Sequence, residues 1–440
     1  IMNGKEQTYQ AWNGTPKDSL GTNPTFNPAG IMYDKNGNFI GYYENEIDKY
    51  NQTYYQLHYA HSFNENLTLT ASAFLTTGNG YYENYKNDKK LSSYGLPSIK
   101  IGDTVIENVN LVQQKWLDNR FYGFNIALNQ KAGKFDINYG CSWNLYDGDH
   151  FGIINWAEYG VPLNYKWYEN TGNKEYYNIY VSSNYELNRS LNLFAEMQYR
   201  HINYNINGLH DDLNDITQSH QFDFWNPKGG VFYTINDKNN AYFSIAYSNR
   251  EPNRDIYTDA DETQRENVTH EKLIDYELGY SYRNKISNLN ANLFYMDYKD
   301  QLVMTGEINN VGNTIMMNVD NSYRFGIEGS AAFLFNRFIA LDFNIALSQN
   351  KIQNFVDFVD EYDVNWNYLG QKETNLGTTD ISFSPNIIAG INLKVTPLRH
   401  LDINFQEKYV GRQYIDNTSS LSRSLDPYFV SNVNINYEWK

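Results

Sequence analysis

The chain has 440 residues, a formal net charge of −16 and a single cysteine, Cys141. The acidic balance disfavours a nucleic-acid partner, because nucleic acids are bound by basic patches. One cysteine excludes an intrachain disulfide framework and a cysteine-based zinc site. No run approaches the about 18–20 apolar residues of a membrane helix, but membrane strands need only alternate apolar residues. The 40 tyrosines suit a membrane–water interface, where one end of the ring is apolar and the other wet.

The first ten residues, "IMNGKEQTYQ", have neither the basic nor the apolar region of a signal peptide. Either the protein is cytosolic or its true N-terminus lies upstream. We predict that the chain starts inside a long outer loop.

The rest of the chain alternates apolar and polar residues with the period of two that is typical of strands. In "NLNANLFYMDYKDQLV", residues 288–303, Leu289, Leu293 and Tyr295 share one face, whereas Asn290 and Asn292 share the other. We therefore predict a lipid-facing row and a row that faces a wet interior. About fifteen strands are predicted, beginning near residues 53, 67, 119, 135, 173, 191, 222, 240, 271, 288, 321, 339, 380, 401 and 428.

The connections between these strands alternate between two kinds. The short ones are rich in turn residues and read "SFNEN", "KAGK", "NRS", "NDKNN", "NKISN", "NRF" and "PLRH". The long ones span roughly residues 80–117, 148–172, 205–221, 249–270, 305–320, 352–378 and 413–427. Short turns on one side and long loops on the other are typical of an outer-membrane barrel. The predicted fold class is therefore all-β, a transmembrane antiparallel β-barrel.

Residues 1–440 show no linker, repeat or composition shift, so we predict one barrel domain. Single-chain bacterial barrels have an even number of strands, and a closed sheet leaves no edge in lipid. The odd count predicts a fragment of a larger barrel, cut at both ends.

Several motifs resemble TonB-dependent outer-membrane receptors, in particular the siderophore, haem and cobalamin branch. They are "GKEQTYQAWNG" (4–14), "SNREPNRD" (248–255), "YELGYSY" (276–282), "NLFYMDYKDQLVMTGEINNVG" (292–312) and "NSYRFGIEG" (321–329). The resemblance implies a 22-stranded barrel around an N-terminal plug, with the plug and last strands absent from this chain. It also implies the outer membrane of a Gram-negative bacterium, with lipid and lipopolysaccharide around the barrel and the long loops extracellular.

The function implied by this resemblance is import of a scarce, bulky nutrient, such as an iron–siderophore complex or haem, energised by TonB–ExbB–ExbD. Within the family, a cobalamin or oligosaccharide importer stays open. A passive porin or a surface binding barrel is the alternative from another class.

The predicted ligand-binding residues lie in or beside the long connections. Aromatic rings there are predicted to stack on a planar ligand, with interface packing as the alternative: Tyr81, Tyr82, Tyr85, Trp156 and Trp167. His210 is a candidate ligand to haem iron, or else a solvated loop histidine. Arg250 and Arg254 of "SNREPNRD" are predicted to grip an anionic ligand, or else to form a salt bridge within the loops.

Enzyme chemistry has no support in the sequence. The motifs G-x-S-x-G, P-loop and H-E-x-x-H are absent. The acidic runs "DGDH" (147–150), "DADE" (259–262) and "VDEYD" (359–363) do not match the full calcium-loop pattern. We therefore predict a protein that is not an enzyme and has no metal site and no cofactor.

Overall fold

The structure, a computed structural model, describes residues 1–10, 15–258, 267–308, 314–365 and 367–439. Seventeen antiparallel strands form one large sheet, and six short strands form three two-stranded sheets. Within the described ranges an α-helix, α1, covers Arg254–Thr258, and three 3-10 turns cover Lys17–Ser19, Leu91–Tyr94 and Leu421–Arg423. Among the described residues, no helix has the length and apolar character required to cross a membrane.

The strands in chain order begin with β1 (Met2–Tyr9), β2 (Ile31–Tyr33), β3 (Phe39–Tyr42), β4 (Ile47–Asn64), β5 (Leu67–Lys90), β6 (Ile99–Ile101), β7 (Thr104–Ile106), β8 (Asn108–Ala132), β9 (Phe135–Ala157), β10 (Tyr165–Asn188), β11 (Leu191–Gly208) and β12 (Gln218–Asn236). They continue with β13 (Asn239–Arg250), β14 (Glu271–Arg283), β15 (Ser287–Ile308), β16 (Thr314–Asn336), β17 (Ile339–Tyr362), β18 (Tyr368–Asp380), β19 (Ile387–Leu398), β20 (Leu401–Val410), β21 (Gln413–Tyr414), β22 (Ser424–Leu425) and β23 (Tyr428–Tyr437). The short sheets are β2–β3, β6–β7 and β21–β22.

The chain divides into two compact units, each described by itself below. Unit 1 comprises residues 1–128, 140–179 and 200–223, and unit 2 comprises residues 129–139, 180–199 and 224–440. Unit 1 has a buried cluster of Leu91, Tyr94, Val109, Leu111, Ile154, Trp167 and Tyr168. Unit 2 has a smaller one of Val303, Val319, Ile352, Phe355 and Ile381.

All seven predicted short turns are confirmed as connections between consecutive strands of the sheet. An asparagine at the strand end stabilises several of them by accepting a backbone hydrogen bond from two residues further on, a geometry that asparagine favours in turns. The Asn64 side chain accepts from the N–H of Asn66 at 2.9 Å, and that of Asn336 accepts from Phe338 at 2.8 Å.

The alternation in "NLNANLFYMDYKDQLV" is confirmed by the strand register in unit 2. Leu293 of β15 lies opposite Leu278 of β14 and Ile327 of β16, and these three side chains are 42, 53 and 45% exposed. On the other face, Asn292 accepts a hydrogen bond from the Tyr242 hydroxyl at 3.1 Å. One face of the sheet is therefore apolar and unpacked within the chain, and the opposite face carries polar contacts.

Each of the about fifteen predicted strands corresponds to a strand of the large sheet, which has two more strands in the described residues. The missed strands are β1 and β18. The N-terminal residues were predicted as loop, whereas Met2–Tyr9 pair with Ile47–Tyr54 of β4. All eight residues of β1 are exposed. Because neither face of β1 is buried, its sequence needs no apolar row, and the period of two that marks the other strands is absent.

The predicted long loops are also too long, because the strands continue into them. The segment "TGNGYYENYKNDKK", residues 77–90, is the second half of β5, which has 24 residues. A strand needs only about 9–11 residues to cross a membrane. Beyond that length polar side chains can occupy both faces, so backbone pairing continues after the hydrophobic signal has ended.

Candidate ligand-binding site

The predicted aromatic candidates lie on strands, not in loops. Tyr81, Tyr82 and Tyr85 belong to β5, Trp156 to β9 and Trp167 to β10. Trp156 is 50% exposed, whereas Trp167 is 5% exposed and is part of the buried cluster of unit 1. Trp167 therefore packs inside the protein, and Trp156 is the candidate tryptophan with an accessible ring.

The three tyrosines of β5 lie on two different faces of the strand. Leu57 of β4, which is 71% exposed, pairs with Ala73 of β5, and the pairing continues without a break to Glu83. Because alternate residues of a strand face opposite sides, odd-numbered residues of β5 share the apolar outward face. Tyr81 and Tyr85 therefore lie on the outward face and Tyr82 on the inward face.

Tyr81 belongs to an aromatic row. Its ring centroid lies 4.5 Å from that of Trp116 on β8, and the Trp116 ring stacks on Phe151 of β9 at 5.9 Å. Such a row above an apolar band is typical of the aromatic girdle of membrane barrels. Tyr85 stacks on Tyr43 at 5.9 Å. The structure therefore does not bring these two tyrosines together with Tyr82.

Tyr82 contacts a compact group of charged side chains in unit 1. The Lys115 ammonium of β8 lies 5.8 Å from the centroid of the Tyr82 ring. Lys115 forms an ion pair with Asp211, in the connection between β11 and β12, and both side chains are largely buried. We call Tyr82, Lys115, His210 and Asp211 the Lys115 cluster.

The connection that carries Asp211 is itself well ordered by hydrogen bonds. Leu209 and Asp215 form an antiparallel bridge, and the backbone N–H of His210 donates to the carbonyl of Asn214 at 2.8 Å. The Trp167 indole N–H donates to the backbone carbonyl of Asp211 at 3.1 Å. Asp211 is therefore held against the sheet by its backbone as well as by its carboxylate.

His210 lies at the edge of the Lys115 cluster. Its Nδ1 is 3.0 Å from Asp211 Oδ1 and 3.5 Å from Asp212 Oδ1. These three side chains could offer one donor atom each within 4.8 Å of one another, but Asp211 is already paired with Lys115. Burial raises the pKa of Asp211, yet the hydrogen bond from His210 and the charge of Lys115 outweigh it and hold that pKa well below its usual value.

The arginine candidates lie in unit 2. Arg250 ends β13, and its Nε is 2.5 Å from Oε2 of Glu271, the first residue of β14. The Arg250 side chain is 67% exposed and that of Glu271 6%, so the guanidinium keeps an open side. Arg254 begins α1. The acidic run 259–262 lies outside the described residues.

Sequence reasoning missed a buried carboxylate network in unit 1. Glu83 is 3% exposed and accepts hydrogen bonds from Tyr43 and Asn45 at 2.5 Å each and from Gln114 at 2.5 Å. Burial and the Glu83 hydrogen bond raise the pKa of Tyr43. The only local signal was a glutamate within a run of tyrosines and asparagines, which is equally common on solvated strands.

Lys115 was missed for a similar reason. It stands in "QQKW", residues 113–116, without any basic neighbour in the sequence. Its partner Asp211 is 96 residues away, and no local pattern reports a contact over that separation.

An antiparallel sheet with an apolar outward face and a polar inward face is the arrangement of β-barrel membrane proteins. The family model described as "TonB dependent receptor-like, beta-barrel" matches residues 2–440. The chain belongs to this family, whose members are outer-membrane proteins. The resemblance noted in the sequence is confirmed.

Solved structures of this family have the same fold at low sequence identity. The ferric-catecholate import receptor Fiu of E. coli K12 matches with a TM-score of 0.65 and 12% identity over 100% of this chain and 65% of its own. The siderophore receptor PiuA of Acinetobacter baumannii matches with a TM-score of 0.67 and 13% identity, over 93% of this chain and 63% of its own. The ferric citrate transporter FecA matches with a TM-score of 0.65 and 13% identity, over 90% of this chain and 55% of its own.

The chain spans between 55 and 65% of the length of these three proteins. A comparison with curated protein sequences found no match.

Proposed function

We propose that this chain is the barrel wall of an outer-membrane receptor that imports a scarce, bulky nutrient, and that the nutrient is an iron chelate such as a ferric siderophore or haem. The observation that carries the proposal is the two-sided sheet, apolar outside and lined inside by amides and charged groups. The inward face of the strands is suited to a hydrated passage that a polar ligand crosses. The chain's role is binding and passage rather than bond-making.

The iron chelate is supported by the named activities of the structural neighbours, which include ferric-catecholate import, a siderophore receptor and ferric citrate transport. One neighbour is a copper transporter, OprC, with a TM-score of 0.61, so the ligand class needs its own experiment. We further propose that the long-connection ends of the strands, where the Lys115 cluster lies, face the outside of the cell. TonB–ExbB–ExbD would act through a part of the protein beyond this chain.

Uptake measured in cells tests this proposal. The complete reading frame would be expressed in a Gram-negative host that lacks its own iron receptors, and the uptake of ⁵⁵Fe-labelled siderophore chelates and haem would be followed with and without a protonophore. We expect saturable uptake that stops when the proton-motive force is dissipated or when TonB is deleted.

Two other outcomes would redirect the proposal. Uptake that is not saturable and continues without the proton-motive force would indicate a passive porin, and binding without uptake would indicate a surface binding barrel. Competition of cobalamin or oligosaccharides, rather than iron chelates, for the site would keep the energised transporter and change its ligand.

A further inference from the structure

Six of the seven short turns lie in unit 2, and these six carry an excess of positive charge. They read "KAGK" (131–134), "NRS" (188–190), "NDKNN" (236–240), "NKISN" (284–288), "NRF" (336–338) and "PLRH" (397–400). Together they contain seven Lys or Arg residues and one acidic residue, Asp237, whereas the whole chain has 35 Lys or Arg and 51 Asp or Glu. We call the seven basic residues the turn cations: Lys131, Lys134, Arg189, Lys238, Lys285, Arg337 and Arg399.

The six turns follow one another along one edge of the sheet. The carbonyl of Lys134 accepts a hydrogen bond from the N–H of Glu186 at 2.9 Å, and the carbonyl of Lys238 accepts one from Arg283 at 2.8 Å. In both cases the donor belongs to the strand that enters the next turn. Since neighbouring strands are about 4.8 Å apart, successive turns are about 10 Å apart. This is close to the screening length of about 8 Å at physiological salt, so the turn cations act as a row of charge.

The turn cations lack carboxylate partners. All seven are exposed, and none of them forms an ion pair within the described part of the chain. Two acidic residues near this edge are engaged elsewhere, because Asp402 pairs with Lys394 at 2.9 Å and Glu438 lies 3.0 Å from His400. The fold therefore leaves the charge of this row uncompensated.

Two further acidic residues near the turns, Asp136 and Glu186, point away from the outward surface. Their sequence neighbours Phe135 and Leu187 belong to the exposed apolar row and are 44 and 41% exposed. Because alternate residues of a strand face opposite sides, Asp136 and Glu186 lie on the inward face. The outward side of the row is therefore basic.

Three of the turns place an exposed apolar side chain next to the cation. The Arg337 guanidinium lies 4.5 Å from the centroid of the Phe338 ring. Long basic side chains at a membrane surface keep the charge among the headgroups while apolar groups enter the lipid, and such a pair suits that position. The pairs are Lys285–Ile286, Arg337–Phe338 and Leu398–Arg399, whose apolar members are 62, 43 and 65% exposed.

We propose that the turn cations bind the anionic phospholipid headgroups of the membrane leaflet on the short-turn side. A lipid offers a phosphate to the cations and acyl chains to Ile286, Phe338 and Leu398, whereas a soluble polyanion would meet the charges alone. Basic residues directly beside a membrane-spanning segment attract anionic lipids. The inference goes beyond the proposed function, because it concerns how the barrel is held in the membrane and not what crosses it.

The lipid preference of the full-length protein in vesicles tests the inference. The protein would be reconstituted in phosphatidylcholine that contains a trace of spin-labelled phosphatidylglycerol or spin-labelled phosphatidylcholine. Electron spin resonance measures the fraction of each label that the protein immobilises. We expect the protein to favour phosphatidylglycerol about twofold to fivefold, the order of the effect of one basic residue near an anionic surface, and to lose this preference in high salt.

Replacement of the turn cations should remove the preference. With all seven changed to Gln, the two labels should bind equally, and the triple variant Lys285→Gln/Arg337→Gln/Arg399→Gln should give an intermediate value. Arg337→Lys/Arg399→Lys keeps the charge and should keep the preference. Heat-resistant migration on gels would show that each variant is folded.

A matched control is available in three exposed lysines outside the short turns, Lys89, Lys90 and Lys100 of unit 1. The triple variant Lys89→Gln/Lys90→Gln/Lys100→Gln changes the net charge by the same amount as the triple turn variant. It should leave the preference for phosphatidylglycerol unchanged.

Equal association of both lipids with the unaltered protein would overturn the inference, as would a preference that the folded triple turn variant retains in full. Cosedimentation with peptidoglycan that is lost in this variant, without any lipid preference, would also overturn it and assign the row to a cell-wall polymer. None of these measurements uses an iron chelate, so their outcome is independent of the ligand proposed above.

Discussion

Tyr242 of β13 lies directly opposite Gly279 of β14, and its ring covers the space that a side chain at Gly279 would need. A Cβ built at that glycine would overlap the ring atoms Cε1, Cζ and Cδ1 of the tyrosine. The same arrangement recurs two strands further on, where the Phe294 ring lies over Gly326. These glycines let the aromatic rings lie flat against the inward face of unit 2.

We expect Gly279→Ala to destabilise the protein, because the ring of Tyr242 would have to leave its position. The expected cost is about 1–3 kcal/mol of unfolding free energy, as for other overpacked sites. Urea-dependent unfolding in detergent measures it. Gly329→Ala is the matched control, since a Cβ there would meet its nearest atom at an ordinary 3.5 Å, and equal losses in the two variants would contradict the explanation.

The assignment of the outward face can be tested by introducing one charged side chain. Leu293→Arg places a guanidinium in the apolar row and should cost about 2–4 kcal/mol if the residue lies near the middle of the membrane. Asn290→Arg, on the polar face of the same strand, should cost far less. Folding into lipid vesicles reports both values, and a larger loss for the Asn290 variant would reverse the assignment of the faces.

The Glu83 network should hold Tyr43 and Asn45 against β5 and β8. Glu83→Ala would leave the donors of half-buried Tyr43, exposed Asn45 and buried Gln114 without their acceptor, at a cost of about 1–3 kcal/mol for each group that water does not reach. We expect faster proteolysis within residues 15–46. Glu44→Gln, at an exposed position of the same segment, should leave the proteolysis rate unchanged.

Acid should weaken the contact between the Asp211 carboxylate and the sheet. Since the folded-state pKa of Asp211 is depressed, its stabilising contribution is complete above its unfolded pKa of about 4 and is lost as the pH falls below that value. Trp167 fluorescence should therefore be constant from neutral pH down to about pH 4 and change below it.

Removing Lys115 should move this transition to higher pH. In Lys115→Gln only His210 opposes the effect of burial on the pKa of Asp211. That pKa therefore rises, and the carboxyl is protonated under milder acid. An unchanged transition in this variant would show that the fluorescence reports some other group.

Arg250 can be tested through both binding and stability. Its pair with Glu271 is exposed on the arginine side, but the Glu271 side chain is only 6% exposed, so removing the arginine leaves a buried carboxylate without its cation. Arg250→Gln should therefore lower the unfolding free energy by more than the about 1 kcal/mol expected of an exposed pair and weaken the binding of an anionic chelate. Glu271→Ala should be more costly, because the N–H of Leu302 donates to this buried carboxylate at 2.7 Å.

The sequence predicted the features that burial imposes on every strand. Lipid on one face requires an apolar row, and tight turns require residues such as Asn64 and Asn336, so the faces, the seven short turns and fifteen strands could be read from the sequence alone. Strand β1 could not be predicted, because none of its residues is buried. Residues 77–90, the second half of β5, could not be predicted as a strand, because backbone pairing there continues without an apolar signal.

The candidate site was less predictable for a related reason. Aromatic residues near the long connections were readily found, but the face to which each belongs depends on an unbroken register from Leu57 to Glu83 that only the structure supplies. That register separates Tyr82 from Tyr81. The contact between Lys115 and Asp211 joins distant parts of the chain, and neither residue has a local pattern that sets it apart from other surface charges.

The length of β5 and β8 has a consequence for how this barrel could diversify. Residues such as Tyr82 and Lys115 stand on paired strands, where inserting or deleting one residue would turn the following side chains to the opposite face. New ligand preferences at these positions would therefore arise by exchanging one side chain for another at constant strand length. Relatives with different cargo should differ here in residue identity, and vary in length only at the connections beyond the strand ends.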